Sequence, residues 1–137
     1  MIEFTVYGRP EPQGSARVFL VGGKARITSA NAKMKPFRQS VTLVALETVA
    51  EMGMPTPLYG KHIPVALEVT FCFRRPESAP KKRIACVVKP DLDKLVRMAC
   101  DALTGVVWHD DAQVVEMHPR KVYGHVEGMT VRVRAAE

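Results

Sequence analysis

Residues 64–73 set the first constraint. Val65, Leu67, Val69, Phe71 and Phe73 recur at every second position, so an extended segment carries all five on one face. The period changes over residues 92–104, where Leu92, Leu95, Val96, Ala99, Ala102 and Leu103 form a helical stripe that Gly105 ends. Between these two segments lies a basic loop, 74–90, with prolines at 76, 80 and 90, too charged to be core. Residues 2–8 alternate as a strand, and Pro10 to Gly14 is a turn-rich loop. Residues 16–20 and 24–28 flank Gly22-Gly23 and predict a hairpin. Phe37, Val41, Val44, Ala45, Thr48 and Met52 predict a helix over 37–52, with Pro36 in its first turn and Gly53 as its stop. Residues 112–123 and 128–134 read as strands. No repeat or low-complexity tract interrupts the chain, and 137 residues suit one domain. The expected fold is α+β: a single two-layer domain, residues 1–137, with a mixed β-sheet and two main helices on it.

No apolar run approaches the ~20 residues needed to cross a bilayer, and the opening MIEFTVYGR has an acid at position 3 and no long apolar centre. A cytoplasmic protein with no membrane association is expected. Cys72, Cys86 and Cys100 are odd in number and widely spaced, which predicts three free thiols and argues against zinc. His62, His109, His118 and His125 are scattered without ligand spacing.

The net charge is +6, and its distribution is uneven. Arg17, Lys24, Arg26, Lys33, Lys35 and Arg38 lie between Glu11 and Glu47 with no acid among them. Arg74, Arg75, Lys81, Lys82, Arg83 and Lys89 form a second cluster opposed by Glu77 alone. A surface of this kind favours polyanions, because bound phosphates release counterions.

The acids are segregated as well. All five aspartates, Asp91, Asp93, Asp101, Asp110 and Asp111, fall within one window of 21 residues. Pro90 disfavours helix just before it, so Asp91 stands at or near the N-cap of the second helix and Asp93 in its first turn. The helix N-terminus tolerates their negative charge. Asp93, Arg97 and Asp101 follow at i, i+4 and i+8 along a polar side. If the chain reverses at Gly105, Asp110 and Asp111 return toward the helix start. Carboxylates gathered in this way repel one another, and Mg²⁺, or Mn²⁺ in its place, resolves that repulsion because both prefer oxygen ligands. Such an ion on a scissile phosphate activates water and stabilises the leaving oxygen, while nearby Lys and Arg neutralise charge.

Each part alone has a plainer reading. Asp91 is a cap, Asp93 with Arg97 is a solvated pair worth ~0.3–0.5 kcal/mol, Asp110-Asp111 is a turn, Trp108 is core and the basic loop is solvated surface. Their confluence in a chain with no other aspartate favours a metal site. The Asp-Leu-Asp triplet also occurs in glycosyltransferases and haloacid-dehalogenase phosphatases, but those need a nucleotide-type α/β sheet and more residues. A restriction-type nuclease needs acid-x-Lys, and Glu116 is followed by Met117-His118. There is no glycine-rich phosphate loop and no Ser or Cys nucleophile context.

The run from Lys89-Pro-Asp-Leu-Asp-Lys-Leu through Asp-Ala-Leu (101–103) to Asp-Asp-Ala-Gln-Val (110–114) resembles the signature of RusA-type Holliday junction resolvases. The likeness is close over residues 88–123, including Lys121 and Tyr123, and looser from Gly8 to Arg17. It implies metal-binding catalytic aspartates at Asp91, Asp93 and Asp111, with Asp110 beside them. It also implies a basic catalytic or DNA-contacting residue at Arg97, where the family carries lysine. Arg keeps the charge but transfers protons poorly, and Lys94, where the family carries asparagine, can supply an amine. The resemblance implies a Mg²⁺-dependent endodeoxyribonuclease of DNA recombination and repair, often of prophage origin. It implies a homodimer that resolves four-way DNA junctions by two symmetric cuts and needs no small-molecule cofactor. A two-fold dimer matches the symmetry of that substrate. Candidate DNA contacts are Arg17, Arg74, Arg75, Lys81, Lys82, Arg83, Lys89 and Lys121. Two other readings stand beside this one: a non-catalytic branched-DNA-binding module, and a Mg²⁺-dependent nuclease for another structured nucleic acid.

Overall fold

The computed structural model of the chain describes residues 1–13, 16–21, 24–29 and 34–137, with side-chain detail for 1–13 and 35–137. The elements run β1 (Ile2–Tyr7), β2 (Ala16–Val21), β3 (Lys24–Ser29), α1 (Met34–Glu51), β4 (Val65–Phe73), α2 (Leu92–Leu103), β5 (Val114–Tyr123) and β6 (Gly128–Ala135). β2 and β3 pair antiparallel by themselves. The hairpin strands thus form as expected, while the Gly22-Gly23 turn lies outside the described residues.

The other strands make one mixed sheet in the order β1-β6-β4-β5, with β1–β6 and β6–β4 antiparallel and β4–β5 parallel. A parallel pair requires a crossover, and α2 provides it. Rows of buried side chains cross three strands: Ile2, Val133 and Leu67; Phe4, Val131 and Val69; Val6, Met129 and Phe71. α1 packs on β1 and on α2, and α2 packs on β5, so both helices cover this face. The opposite face is polar and ion-paired, with Arg132 at 3.2 Å from Glu3 and 3.3 Å from Glu68. The α+β expectation with two helices on a mixed sheet is met. No helix among the described residues is long and apolar enough to cross a membrane.

Several boundaries differ from the sequence reading. α1 begins at Met34, ahead of Phe37. Its buried stripe is Phe37, Val41, Ala45 and Val49, while Met52 is exposed past the helix end. In α2, Leu95, Ala99, Ala102 and Leu103 of the expected stripe are buried and Leu92 and Val96 half-buried, while Met98 and Cys100 are buried besides, because this helix faces α1 as well as the sheet. The strand expected from residue 112 begins at Val114, since Asp111–Gln113 form a single 3-10 turn.

β5 is left half-finished as a core strand. Its outer edge has no strand partner among the described residues. By register Met117 lies beside Leu67 and Lys121 beside Phe71, yet Met117 is exposed and Val115 is 63% exposed. A long edge of this kind is a template for pairing with another chain.

Candidate functional site

The aspartates occupy the two ends of α2. Asp91 is the helix N-cap, as its neighbour Pro90 predicts, but its side chain makes no capping bond. It pairs instead with Lys89 at 2.7 Å and with Lys94 at 3.8 Å. The hydrogen bond from Lys89, with the charges of Lys89, Lys94 and Lys121, holds the Asp91 carboxyl below the usual carboxylate range. Asp93 and Arg97 are exposed and form no ion pair with each other. The Gln13 backbone N–H donates to the Lys94 carbonyl at 3.0 Å, so the loop that leads into the N-terminal basic segment lies against the first turn of α2.

Asp111 lies at the other end. The chain does reverse at Gly105, whose φ of +89° suits a residue without Cβ. The return brings Asp111 back to the C-terminal end of α2, not to its start. There its Oδ1 accepts from the buried Trp108 Nε1 at 3.0 Å and from the hydroxyl of Thr104, the helix C-cap. Thirteen residue steps run from the N-cap Asp91 to the C-cap Thr104, about 20 Å at ~1.5 Å per residue. β5 gives an independent measure. Lys121 Nζ donates to the carbonyls of Val88 at 2.6 Å and Pro90 at 2.8 Å, which ties the Asp91 end to the far part of that strand. Asp111 opens the short turn that leads into its first residue, Val114. The convergence of Asp111 on Asp91 and Asp93 within one chain, expected from the turn, is therefore corrected. The Trp108 and Thr104 donors capture Asp111 on the near side of the helix. Among the described residues no group of three or more His, Cys, Asp or Glu side chains is placed to hold a metal.

Asp110 and Asp101 also belong to the Asp111 end. Asp110 Oδ1 accepts from Ala112 N at 2.8 Å and caps the 3-10 turn. Burial pushes the Cys100 thiol up to about 12, with the charges of Asp111 and Asp101 adding to it. Gln113 falls within the Asp-Asp-Ala-Gln-Val stretch, where the resemblance gives it no role, yet it builds this end. It is buried, and its Oε1 accepts from the backbone N–H groups of His109 at 2.8 Å and Asp110 at 3.0 Å. Its Nε2 donates to the carbonyls of Gly60 at 2.8 Å and Ile63 at 3.0 Å. Gln113→Leu keeps the bulk but leaves the His109 and Asp110 N–H groups and the Ile63 carbonyl unpaired, while the Gly60 carbonyl keeps its bond from Ile63 N. A loss of about 2–3 kcal/mol in unfolding free energy is expected, measured as a lower urea midpoint at unchanged slope.

The expected DNA contacts divide. Arg74, Lys81, Lys82 and Lys89 are exposed, and Arg83 is half-buried. Arg75 folds back on its own loop, donating to the carbonyls of Arg83 at 3.3 Å, Ala79 at 3.4 Å and Pro80. With Ala79 and Cys86 buried, the loop is pinned to the body. Lys121 is likewise an internal tether. Arg17 lies on β2, and its side chain falls outside the described part of the molecule.

A hard divalent cation often binds through one or two carboxylates, its other positions taken by water and phosphate oxygens. Asp91 and Asp93 fit that habit, and so does Asp111, whose two hydrogen bonds both fall on Oδ1. Each end of α2 thus presents carboxylate oxygens of the kind such a cation takes as ligands. Over residues 8–134 the chain matches the family described as endodeoxyribonuclease RusA. It is also similar to the uncharacterized protein YqaN of Bacillus subtilis (strain 168), 33% identical over 136 residues, spanning 97% of this chain and 95% of that protein.

Proposed function

We propose, for a chain that belongs to the RusA family of endodeoxyribonucleases, that it is a divalent-metal-dependent nuclease that resolves four-way DNA junctions as a homodimer, with each catalytic site shared between two subunits. One observation carries this reading: the two partial carboxylate sets lie at opposite ends of an edge strand that has no outer partner among the described residues. Antiparallel pairing of β5 with β5 of a second copy, about a two-fold axis, sets unlike ends side by side. Neighbouring strands are about 4.8 Å apart, within reach of carboxylates around one ion. Asp91 and Asp93 of one subunit then meet Asp111 of the other. The exposed Val115 and Met117 supply apolar area to such a contact.

Asp91 and Asp93 of one subunit with Asp111 of the other would hold a Mg²⁺ or Mn²⁺ ion, which would supply Lewis-acid chemistry for activating water and stabilising the leaving oxygen. This chain's residues do the rest. Asp91 and Asp93, at a helix N-terminus, fix two oxygen ligands on one backbone turn. Trp108 and Thr104 fix the direction of Asp111. Lys89 and Lys94 balance Asp91 and stand ready to face phosphate. Arg97, one turn above Asp93 and in no ion pair among the described residues, neutralises negative charge that develops on the phosphoryl oxygens. The exposed Arg74, Lys81 and Lys82 hold flanking phosphates, so recognition of the branch rests on backbone position and shape.

The test is a cleavage panel of four-way junction, flap, linear duplex and hairpin RNA, with and without Mg²⁺. Paired symmetric cuts in the junction alone, and only with metal, are expected. Equal cutting of flap or RNA overturns the substrate assignment, and cutting in EDTA overturns the metal. A further expectation concerns Asp111. Thr104→Val and Trp108→Phe each remove one donor to its carboxylate, the first keeping bulk and the second leaving a smaller ring in the core. Groups that orient a ligand typically contribute about 10–100-fold to metal affinity. Each variant should need that much more Mn²⁺ for half-maximal cleavage and bind the junction as wild type does. An unchanged Mn²⁺ requirement in both removes the orienting role.

A further inference from the structure

A cleft adjoins the Asp111 end of the fold. Its volume is about 640 Å³, and its walls include Lys61, His62, Ile63, His109, Asp110 and Gln113. Volumes of roughly 300–1,000 Å³ are typical of clefts that take small ligands. Asp110 and Ala112, the residues on either side of Asp111, both line it. Lys61, His62 and His109 are exposed, and none of them forms an ion pair among the described residues. Asp110, the acid in the wall, already accepts a backbone N–H. The cleft therefore presents an ammonium and two imidazole rings around an acid that is already engaged. Ile63 and Pro64 add an apolar flank, next to the Val115 assigned above to the dimer contact.

The walls are held together from beneath. Gln113 bonds the Gly60 and Ile63 carbonyls on one side and the His109 and Asp110 N–H groups on the other. The spacing between the two walls is thus set by a buried amide and does not wait for a ligand, which lowers the ordering cost of binding. The four histidines look unrelated along the sequence, and the fold brings two of them into one cleft.

We propose that this cleft is a phosphate-backbone subsite, in which Lys61, His62 and His109 hold the DNA strand as it runs away from the carboxylate site. The inference rests on the nuclease reading above and extends it to the path of the cut strand. Phosphates succeed one another every ~3.4 Å of helix axis along each strand of a duplex. A strand with its scissile phosphate at Asp111 must therefore pass further phosphates along neighbouring walls. Imidazole N–H groups and an ammonium are donors that a phosphodiester accepts from. The apolar flank suits the deoxyribose face.

The experiment measures four-way junction binding by the intact dimer in metal-free buffer from about 50 to 200 mM NaCl, the range over which phosphate contacts register most clearly. It compares wild type with Lys61→Ala and with Lys61→Ala/His62→Asn/His109→Asn. All three side chains are exposed, so the variants keep the fold. A lysine that contacts phosphate contributes about one unit to the slope of log affinity against log salt, uniformly across sequences. Lys61→Ala is expected to lower that slope by about one and the triple variant to weaken binding further, at least about tenfold. Asp91→Asn, run alongside, reports on the nuclease reading separately, since it removes cleavage whatever the cleft does. A triple variant with wild-type slope and affinity overturns the subsite. So does one whose dimer dissociates in sedimentation while its salt slope stays put, because the cleft then receives the second subunit and not DNA.

Discussion

Asp91→Asn is expected to lower junction cleavage by at least about 100–1,000-fold while leaving junction binding equal to wild type or tighter. The substitution keeps size and one carbonyl oxygen, so the N-cap position and the helix remain. It removes a full negative charge, because Lys89 and its neighbours hold the carboxyl below the usual range and therefore ionised at neutral pH. Without that charge the proposed metal site loses a ligand that a hard cation depends on. Binding moves the other way for the same electrostatic reason. Lys89 and Lys94, now 2.7 and 3.8 Å from the Asp91 carboxylate, are released to meet phosphate. Single-turnover cleavage in Mg²⁺ and gel-shift affinity in its absence read the two effects separately. Cleavage within a few-fold of wild type removes Asp91 from the site. Parallel loss of binding and cleavage assigns it to the fold or to DNA contact instead.

The two ends of α2 differ in how far they can be read from sequence. Asp91 at the helix start is a local matter: Pro90 disfavours helix before it, and the apolar stripe from Leu92 onward fixes the helix after it. The sheet face of β4 is equally local, since alternation alone places Val65, Leu67, Val69, Phe71 and Phe73. Asp111 is different. Gly105 marks the reversal correctly, but where a returning chain lands depends on which donors capture it. Here they are a tryptophan N–H and a threonine hydroxyl whose partners no spacing rule identifies. Gln113 escapes for a related reason. The Asp-Asp-Ala-Gln-Val stretch contains it without giving it a role, and it is buried because backbone groups from two distant loops need partners at one point. The donors of Arg75 and Lys121 are absorbed by loop carbonyls in the same way, whereas composition alone counts both as free positive charge. The helical faces err only in width, because α2 meets α1 as well as the sheet, and tertiary contact of this kind has no local signature.

The shared-site geometry predicts a gain of activity that a site contained in one chain cannot produce. Asp91→Asn and Asp111→Asn homodimers should each be cleavage-dead by at least about 100-fold. In a mixed dimer, one composite site combines both substitutions and is dead. The other combines the unsubstituted Asp91 and Asp93 of the Asp111→Asn subunit with the unsubstituted Asp111 of the Asp91→Asn subunit, and it is whole. Mixed dimers isolated through two different affinity tags should therefore nick junctions at about half the wild-type rate per dimer, since one of two equivalent sites survives. The product should be a single nick in one strand and not a resolved pair of duplexes. If every ligand set lay within one subunit, each half of the mixed dimer would carry a lesion of its own and no activity would return. The ~20 Å that α2 puts between its ends makes the first outcome the expected one. A mixed dimer as inactive as its parents, yet still dimeric and junction-bound, would sink the shared site.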